Sequence, residues 1–266
     1  MDDAVTLPPL PSGSELNIQT LPHAASAEMV CLGGKLWRAA PAMCRFLLQE
    51  HTAVQGSSVI ELGAGVGACG IYAAGLGALR VIVTDGDGVA RNEVDDDGRD
   101  HTGLLELMAA NVEHNRQLYA PTAEVRAQVL NWGSAAQERL AAPQERFDWV
   151  LGSDVVWGAD HEAHTALCQT IRALLRPDGR GVAPRVILAS EHGLPEPALD
   201  AEELYRDTTL DELCAAAAVE GLRVVPVRGW QGGGARGDAP FEWEAEAFGK
   251  FTGQPVSEIY LVEILL

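Results

Sequence analysis

A short apolar run followed by closely spaced glycines constrains this chain more than any other feature. Residues 58–62 read Ser-Val-Ile-Glu-Leu, glycines follow at positions 63, 65 and 67, and a segment of small residues runs from 68 to 77. The apolar run predicts a buried parallel strand, and the segment after the glycines predicts a helix packed closely on the sheet. Glycines at this spacing let the backbone turn sharply and approach a ligand without intervening side chains. The stretch therefore predicts a loop that binds a nucleoside-containing cofactor.

A second predicted strand, residues 80–84, ends at Asp85, about twenty residues beyond the glycines. A carboxylate at the end of this strand can bind the two hydroxyls of a ribose. The spacing Gly63-x-Gly65-x-x-Ala68 also satisfies a loose dinucleotide fingerprint. On geometry alone, NAD and S-adenosylmethionine are both candidates.

The charges near these strand ends favour S-adenosylmethionine. Glu61, Asp85, Asp87 and Asp154 all lie at predicted carboxyl ends of strands, where ligands bind in open α/β sheets. A pyrophosphate would be repelled by such an acidic edge. S-adenosylmethionine has no phosphate, and its sulfonium and ammonium groups are attracted to carboxylates.

The remaining pattern alternates strands with helices and then changes near the carboxyl terminus. Further strands are predicted at residues 125–130, 147–152, 184–190, 222–227 and 258–265, and helices at 104–118, 161–175 and 208–219. A Gly-rich stretch rather than a helix separates the last two strands, so we expect them to pair antiparallel. The fold class is therefore α/β, a doubly wound, mostly parallel seven-stranded sheet with an antiparallel C-terminal hairpin. Residues 1–32 are predicted to form an extended arm and residues 33–266 one domain.

Composition restricts the partners of the chain. A net charge of −19 argues against nucleic acid, because phosphate contacts need a basic face. It is compatible with a basic protein substrate attracted to an acidic edge. We predict no membrane span, no metal site, free thiols at the five cysteines, a monomer, and a cytoplasmic location with the nucleus as an alternative.

Two polar segments receive structural rather than functional interpretations. Residues 86–103 are rich in Asp and Gly but lack the regular ligand spacing of a calcium loop, so we interpret them as a solvated insertion. Asn111 and Asn115 share one face of a predicted helix. We interpret them as exposed residues without a catalytic role.

Several motifs together resemble a known family. They are residues 61–67 (Glu-Leu-Gly-Ala-Gly-Val-Gly), Thr84-Asp85, the Asn111 and Asn115 helix, Asn131-Trp132-Gly133, residues 151–157 (Leu-Gly-Ser-Asp-Val-Val-Trp) and the Trp-containing segment 34–48. In combination they resemble the seven-strand (class I) S-adenosylmethionine-dependent protein methyltransferases of the methyltransferase-like 21 and calmodulin-lysine methyltransferase group. The resemblance covers roughly residues 33–175.

This resemblance implies a pocket for S-adenosylmethionine and a protein substrate that is methylated on a side-chain nitrogen. The residues implied to bind the cofactor are Trp37, Gly63, Ala64, Gly65, Asp85, Trp132 and Ser153, and Glu61 joins them through its charge. In this interpretation Asp85 holds the ribose and Trp132 offers the adenine a flat surface or a backbone amide.

The sequence departs from the family where the target nitrogen is expected. The family's acidic-x-x-Tyr signature is Asp154-Val-Val-Trp157 here. The Trp157 indole has only a donor N–H and cannot accept a hydrogen bond, although its ring can attract a cation. Asp154 therefore becomes the group predicted to accept hydrogen bonds from the target nitrogen.

The same departure leaves the acceptor open. The Asp-x-x-aromatic pattern without tyrosine is similar to that of methyltransferase-like 23, which is taken to act on arginine. Lysine is the favoured acceptor, and arginine and a small-molecule amine are the alternative acceptors. A catalytically inactive binding protein with the same fold is the alternative function.

Deleting residues 93–100 should leave the fold intact, because this acidic segment has no apolar side chains to bury other than Val94. The deletion variant should show the same far-ultraviolet circular dichroism and a melting temperature close to that of the parent chain. A variant that fails to fold would refute the interpretation of the segment as a solvated insertion.

Overall fold

The computed structural model describes residues 5–21, 32–86, 103–133, 147–156, 161–175, 184–192, 208–227 and 258–266. Trp157, the interior of the acidic segment and the Gly-rich 231–256 segment lie outside these ranges. Of the helices within them, none combines the length and the apolar character needed to cross a bilayer.

Strands and helices alternate along most of the described chain. The strands are β1 (Ser58–Leu62), β2 (Arg80–Asp85), β3 (Glu124–Val129), β4 (Trp149–Ser153), β5 (Arg185–His192), β6 (Arg223–Pro226) and β7 (Glu258–Leu265). The helices are α1 (Ala39–Gln49), α2 (His51–Val54), α3 (Ala68–Gly75), α4 (Leu104–His114), α5 (His161–Leu174) and α6 (Thr208–Val219), with short 3₁₀ turns at Leu32–Gly34 and Arg116–Leu118.

The seven strands form one sheet in the order β3-β2-β1-β4-β5-β7-β6. The first five pair in parallel, and β7 pairs antiparallel with both β5 and β6. The predicted fold class, including the antiparallel C-terminal pair, is confirmed. The strand order reverses direction between β1 and β4, so their carboxyl ends flank the crevice where α/β sheets bind ligands.

Strand β1 lies at the centre of the sheet and is buried on both faces. Val59 packs into the core beneath α1 and α3, whereas Ile60 and Leu62 pack into the core beneath α5 and α6. Successive side chains of a strand point to opposite faces, so Glu61 shares the face of Val59. That alternation directs a carboxyl group towards α3.

Glu61 is consequently a buried acid rather than a solvated one. Its side chain is 2% exposed, and its Oε2 accepts a 2.7 Å hydrogen bond from the Gly70 N–H. Burial raises the pKa of Glu61 from 4.5 to about 7; hydrogen bonds from Gly70 and Cys69 oppose this shift, and the Asp85 charge adds slightly to it. The negative charge that the sequence suggests at this position is therefore only partly present at neutral pH.

The described part of the arm, residues 5–21, is extended and packs on the helices. Leu10 is buried against Gly75 of α3, and the Tyr72 hydroxyl donates to the Pro9 carbonyl oxygen at 3.2 Å. The Leu21 N–H donates to the Gly34 carbonyl oxygen at 2.7 Å. The arm thus contacts the domain along its described length.

The interpretation of Asn111 and Asn115 as exposed is wrong. Both side chains are fully buried beneath the arm. They lie on the same stripe of α4 as Leu104 and Met108, at spacings of three and four residues. That stripe was a sequence signal of burial, but nothing in the local pattern indicated that the arm would cover it.

Replacing Glu61 by Gln should flatten the pH dependence of stability. Because the folded chain binds the Glu61 proton more tightly than the unfolded chain, the free energy of unfolding should fall as pH rises from about 4.5 to about 7, by roughly 3 kcal/mol in total. The carboxamide oxygen of Gln can still accept from Gly70. Urea unfolding of both proteins between pH 4 and 9 measures the difference, and parallel curves would contradict the buried-acid description.

Candidate active site

A cavity of about 740 Å³ opens at the carboxyl ends of β1, β2 and β4. Nine of the ten predicted site residues line it, namely Trp37, Glu61, Gly63, Ala64, Gly65, Asp85, Trp132, Ser153 and Asp154. Trp157, the tenth, is outside the described residues. The structure thus brings together side chains from strand ends far apart in sequence, and their individual roles remain predictions.

The glycine loop between β1 and α3 needs its glycines for conformation and for space. Gly63, Gly65 and Gly67 have φ angles of 58°, 52° and 83°, in the left-handed region that other residues rarely adopt. A Cβ on Gly63 would lie 2.7 Å from Val155 Cγ1, and a Cβ on Gly65 would lie 2.7 Å from the Gly33 carbonyl oxygen. Side chains at these positions would strain the loop and push apart the walls of the cavity.

Asp85 ends β2 beside this loop. Its Oδ2 accepts a hydrogen bond from the Gly65 N–H, and its Oδ1 accepts from the Gly86 N–H, both at 2.8 Å. These bonds orient the carboxylate at the wall of the cavity. A group in this position can accept hydrogen bonds from ribose hydroxyls, as the sequence predicts.

Ser153 and Asp154 follow one another at the end of β4. Ser153 Oγ is buried at the cavity wall and has no hydrogen-bond partner among the described residues. Buried hydroxyls are normally hydrogen-bonded, so this atom is suited to contact a bound ligand. Together with the glycine loop and Asp85, it fits a cofactor that presents a nucleoside and an amino-acid moiety.

Asp154 has a strained backbone and forms hydrogen bonds to two other segments of the chain. Its φ angle is 54°, the only positive value among the described non-glycine residues. Its N–H donates to the Ala189 carbonyl oxygen at 2.8 Å, and its Oδ2 accepts from the Ala39 N–H at the start of α1 at 3.3 Å. Strain of this kind persists where surrounding structure fixes it, often at functional sites.

Two aromatic residues, Trp37 and Trp132, line the cavity. The edge of the Trp132 ring packs over Gly63, where a Cβ would lie 3.1 Å from Trp132 Cζ2. Trp37 precedes α1, and the Lys35 Nζ lies 3.7 Å from the centroid of its ring. The Trp37 ring therefore offers a face that already attracts a cation.

The sequence did not identify three polar residues that line the cavity, namely Lys35, Asn131 and His164. Lys35 is two residues before Trp37, and this proximity was the available signal. His164 is buried on α5, with Nδ1 3.7 Å from Glu212 Oε2. It shares a helical stripe with Leu167 and Ile171, which predicts burial but not a position in the cavity.

Comparison with known proteins identifies the family. Residues 19–95 and 99–192, more than half of the chain, match the family described as lysine methyltransferase. Protein N-lysine methyltransferase METTL21A from Danio rerio is 36% identical over 144 residues, which are 54% of this chain and 56% of the relative. Protein N-terminal and lysine N-methyltransferase EFM7 from Gibberella zeae is 28% identical over 159 residues, 56% of this chain and 54% of the relative. The chain spans about half the length of the curated relatives it matches.

A solved structure agrees at the level of the fold. The 16S rRNA N2 G1207 methyltransferase of T. thermophilus, in complex with AdoMet and guanosine, aligns with a TM-score of 0.50 and 18% identity, over 96% of this chain and 48% of that chain. At this identity the likeness concerns the fold alone. The cofactor prediction, S-adenosylmethionine, is confirmed through the family. The resemblance of the sequence motifs to protein-lysine methyltransferases is also confirmed, and the chain belongs to the lysine methyltransferase family.

Proposed function

We propose that this chain transfers a methyl group from S-adenosylmethionine to a lysine side-chain nitrogen of a protein. The observation that carries the proposal is the position of Asp154 in the same cavity as the glycine loop and Asp85. A carboxylate that can accept hydrogen bonds from an incoming nitrogen thus shares one cavity with the cofactor cradle. Family membership and relatives named as protein-lysine methyltransferases add support.

When bound, S-adenosylmethionine supplies a methyl group already attached to a good leaving group, the sulfonium. The protein therefore has to align the two partners and exclude water. The glycine loop, Asp85 and Ser153 serve to hold the donor. Valine side chains at positions 155 and 156 and the ring of Trp132 supply apolar walls to the cavity.

The acceptor amine must be neutral to react, although a free lysine has a pKa near 10.4. Entry into a largely apolar cavity disfavours the ammonium form and lowers that pKa. Asp154 accepts hydrogen bonds from the amine, fixes the direction of its lone pair and stabilises the cation that forms as the methyl arrives. The strained backbone at Asp154 is consistent with such an oriented role. Trp157 remains a sequence-based proposal for contact with the alkyl chain and the cation.

The proposed substrate is a protein with basic character around the target residue. The net charge of −19 favours its approach by long-range attraction. A monomeric enzyme in the cytoplasm, with the nucleus as an alternative, and no nucleic-acid or membrane partner complete the proposal.

Incubating the purified chain with radiolabelled S-adenosylmethionine and a cell extract tests the reaction class. The proposal predicts a labelled protein band whose label maps to lysine by mass spectrometry. Label on arginine would identify that residue as the acceptor and refute lysine, and label only in small molecules would refute a protein substrate. Binding of the donor without any transfer would indicate an inactive binding protein.

Asp85→Ala should weaken S-adenosylmethionine binding by roughly 1 to 3 kcal/mol, the range for losing hydrogen bonds to a charged group. Isothermal calorimetry measures the change. Glu124→Ala is the matched control. Glu124 is an exposed acid at the amino end of the neighbouring strand β3, whereas Asp85 lies at the carboxyl end of β2. Equal affinities in the Asp85 variant and the parent chain would remove Asp85 from the cofactor site.

Asp154→Asn should reduce turnover by about a hundredfold or more and leave cofactor affinity within a few-fold. The Asn oxygen can still accept the hydrogen bond from Ala39, so the start of α1 is retained while the carboxylate charge is lost. Steady-state kinetics on the labelled protein substrate, with calorimetry of the donor, separates the two effects.

Asp148→Asn provides the control for this prediction. Asp148 precedes β4 as Asp154 follows it, and its Oδ2 accepts from the Ser58 N–H and hydroxyl at 2.7 Å, away from the cavity. The Asp148 variant should lose stability but keep its turnover. Near-normal turnover of the Asp154 variant would leave catalysis to positioning alone.

A further inference from the structure

Asn111 and Asn115 hold the arm to α4 through a regular ladder of hydrogen bonds. The Asn115 carboxamide accepts from the Asn17 N–H at 2.8 Å and donates to the Asn17 carbonyl oxygen at 2.8 Å. The Asn111 carboxamide accepts from the Gln19 N–H at 2.8 Å and donates to the Gln19 carbonyl oxygen at 2.9 Å. Each Asn side chain therefore pairs with a backbone residue of the arm as a neighbouring strand would.

The spacing of the ladder follows from elementary geometry. Two residues of extended chain span about 6.6 Å and share one edge, while four residues of helix rise about 6 Å and return to the same face. An extended segment can therefore present alternate residues to Asn side chains one helical turn apart. The match specifies the register of the arm.

The two Asn residues differ in one contact. The second N–H of the Asn111 amide donates to the Val66 carbonyl oxygen at 3.0 Å, in the glycine loop between Gly65 and Gly67. The Asn115 amide instead donates to the Asn111 carbonyl oxygen of its own helix at 2.8 Å. Of these two side chains, Asn111 is therefore the one that joins the arm to the loop lining the cavity.

The arm reaches the cavity wall by a second route. The bond between Leu21 and Gly34 positions the 3₁₀ turn Leu32–Gly34. Gly33 of this turn packs directly on Gly65, so closely that no side chain fits between them. The glycine loop is thus held from two sides, by Asn111 and by the turn to which the arm is bonded.

We propose that Asn111 is a positioning residue that couples docking of the arm to the geometry of the cofactor-binding loop. A docked arm favours the loop conformation that binds S-adenosylmethionine, and cofactor binding in turn strengthens docking by the same factor, because such linkage is reciprocal. The proposal rests on the cofactor site and is independent of the acceptor.

Hydrogen exchange of the intact chain by nuclear magnetic resonance gives the first test. S-adenosylhomocysteine, which occupies the cofactor site without turnover, should slow exchange of the Gln19 amide by about fivefold or more, the lower range of allosteric coupling. Unchanged exchange at Gln19 with the site saturated would overturn the proposal. Failure of S-adenosylhomocysteine to bind at all would instead refute the cofactor site itself.

Asn111→Ala and Asn115→Ala form a matched pair for the second test. Both should accelerate exchange in the arm, because each loses one rung of the ladder. Asn111→Ala should also weaken binding of S-adenosylhomocysteine by about tenfold, equivalent to one lost hydrogen bond in a buried network. Asn115→Ala should stay within about threefold of the parent chain, since it does not touch the loop.

Equal losses of affinity in the two variants would show that general loosening of the arm, and not Asn111, matters, and would overturn the proposal. Wild-type affinity in a folded Asn111→Ala chain would do the same. If that variant does not fold, the exchange experiment on the parent chain decides.

Discussion

The glycine loop between β1 and α3 is the constraint on which the rest of the site depends. Its left-handed backbone at Gly63, Gly65 and Gly67 turns the chain from the centre of the sheet into a closely packed helix. The same turn exposes the Gly65 N–H to the Asp85 carboxylate and leaves room for Gly33 and Val155 against the loop. Cofactor cavity, sheet and arm therefore meet at one stretch of backbone.

The two ends of the strands carry carboxylates in different settings. At the carboxyl edge, strand ends place Asp85, Ser153 and Asp154 around one cavity. At the amino edge, Asp148 binds the backbone and hydroxyl of Ser58 and joins β4 to β1. Asp85, Asp148 and Asp154 all accept hydrogen bonds from backbone N–H groups. Of these three carboxylates, Asp85 and Asp154 line the cavity.

The order of elements followed from local patterns in the sequence, whereas Trp37, Trp132 and Ser153 were expected in the cavity only from the family resemblance. Apolar runs such as residues 58–62 specify buried strands, and parallel strands bring their carboxyl ends together. Glu61 was expected to contribute a negative charge at the carboxyl ends of the strands, although its alternation with Val59 and Ile60 already placed it on an inner face. Its carboxyl group is only partly ionised at neutral pH because burial raises its pKa, and the depth of burial cannot be deduced from the local sequence.

Contacts between distant segments were beyond a sequence interpretation. The burial of Asn111 and Asn115 depends on an arm 92 to 98 residues away, which shows no periodicity of its own. His164 lines the cavity from α5, whose Leu167 and Ile171 pack into the same core as Ile60 and Leu62 of β1. These features arise from tertiary packing, and they include the contact that joins the arm to the cofactor loop.

Calorimetric titration of the parent chain with S-adenosylmethionine and, separately, with NAD tests the central claim most directly. The cavity has a glycine loop and the carboxylates of Asp85 and Asp154, and the basic groups among its described lining residues are Lys35 and the buried His164. It should bind S-adenosylmethionine and give no heat with NAD. Tight binding of NAD without binding of S-adenosylmethionine would contradict the account of the site.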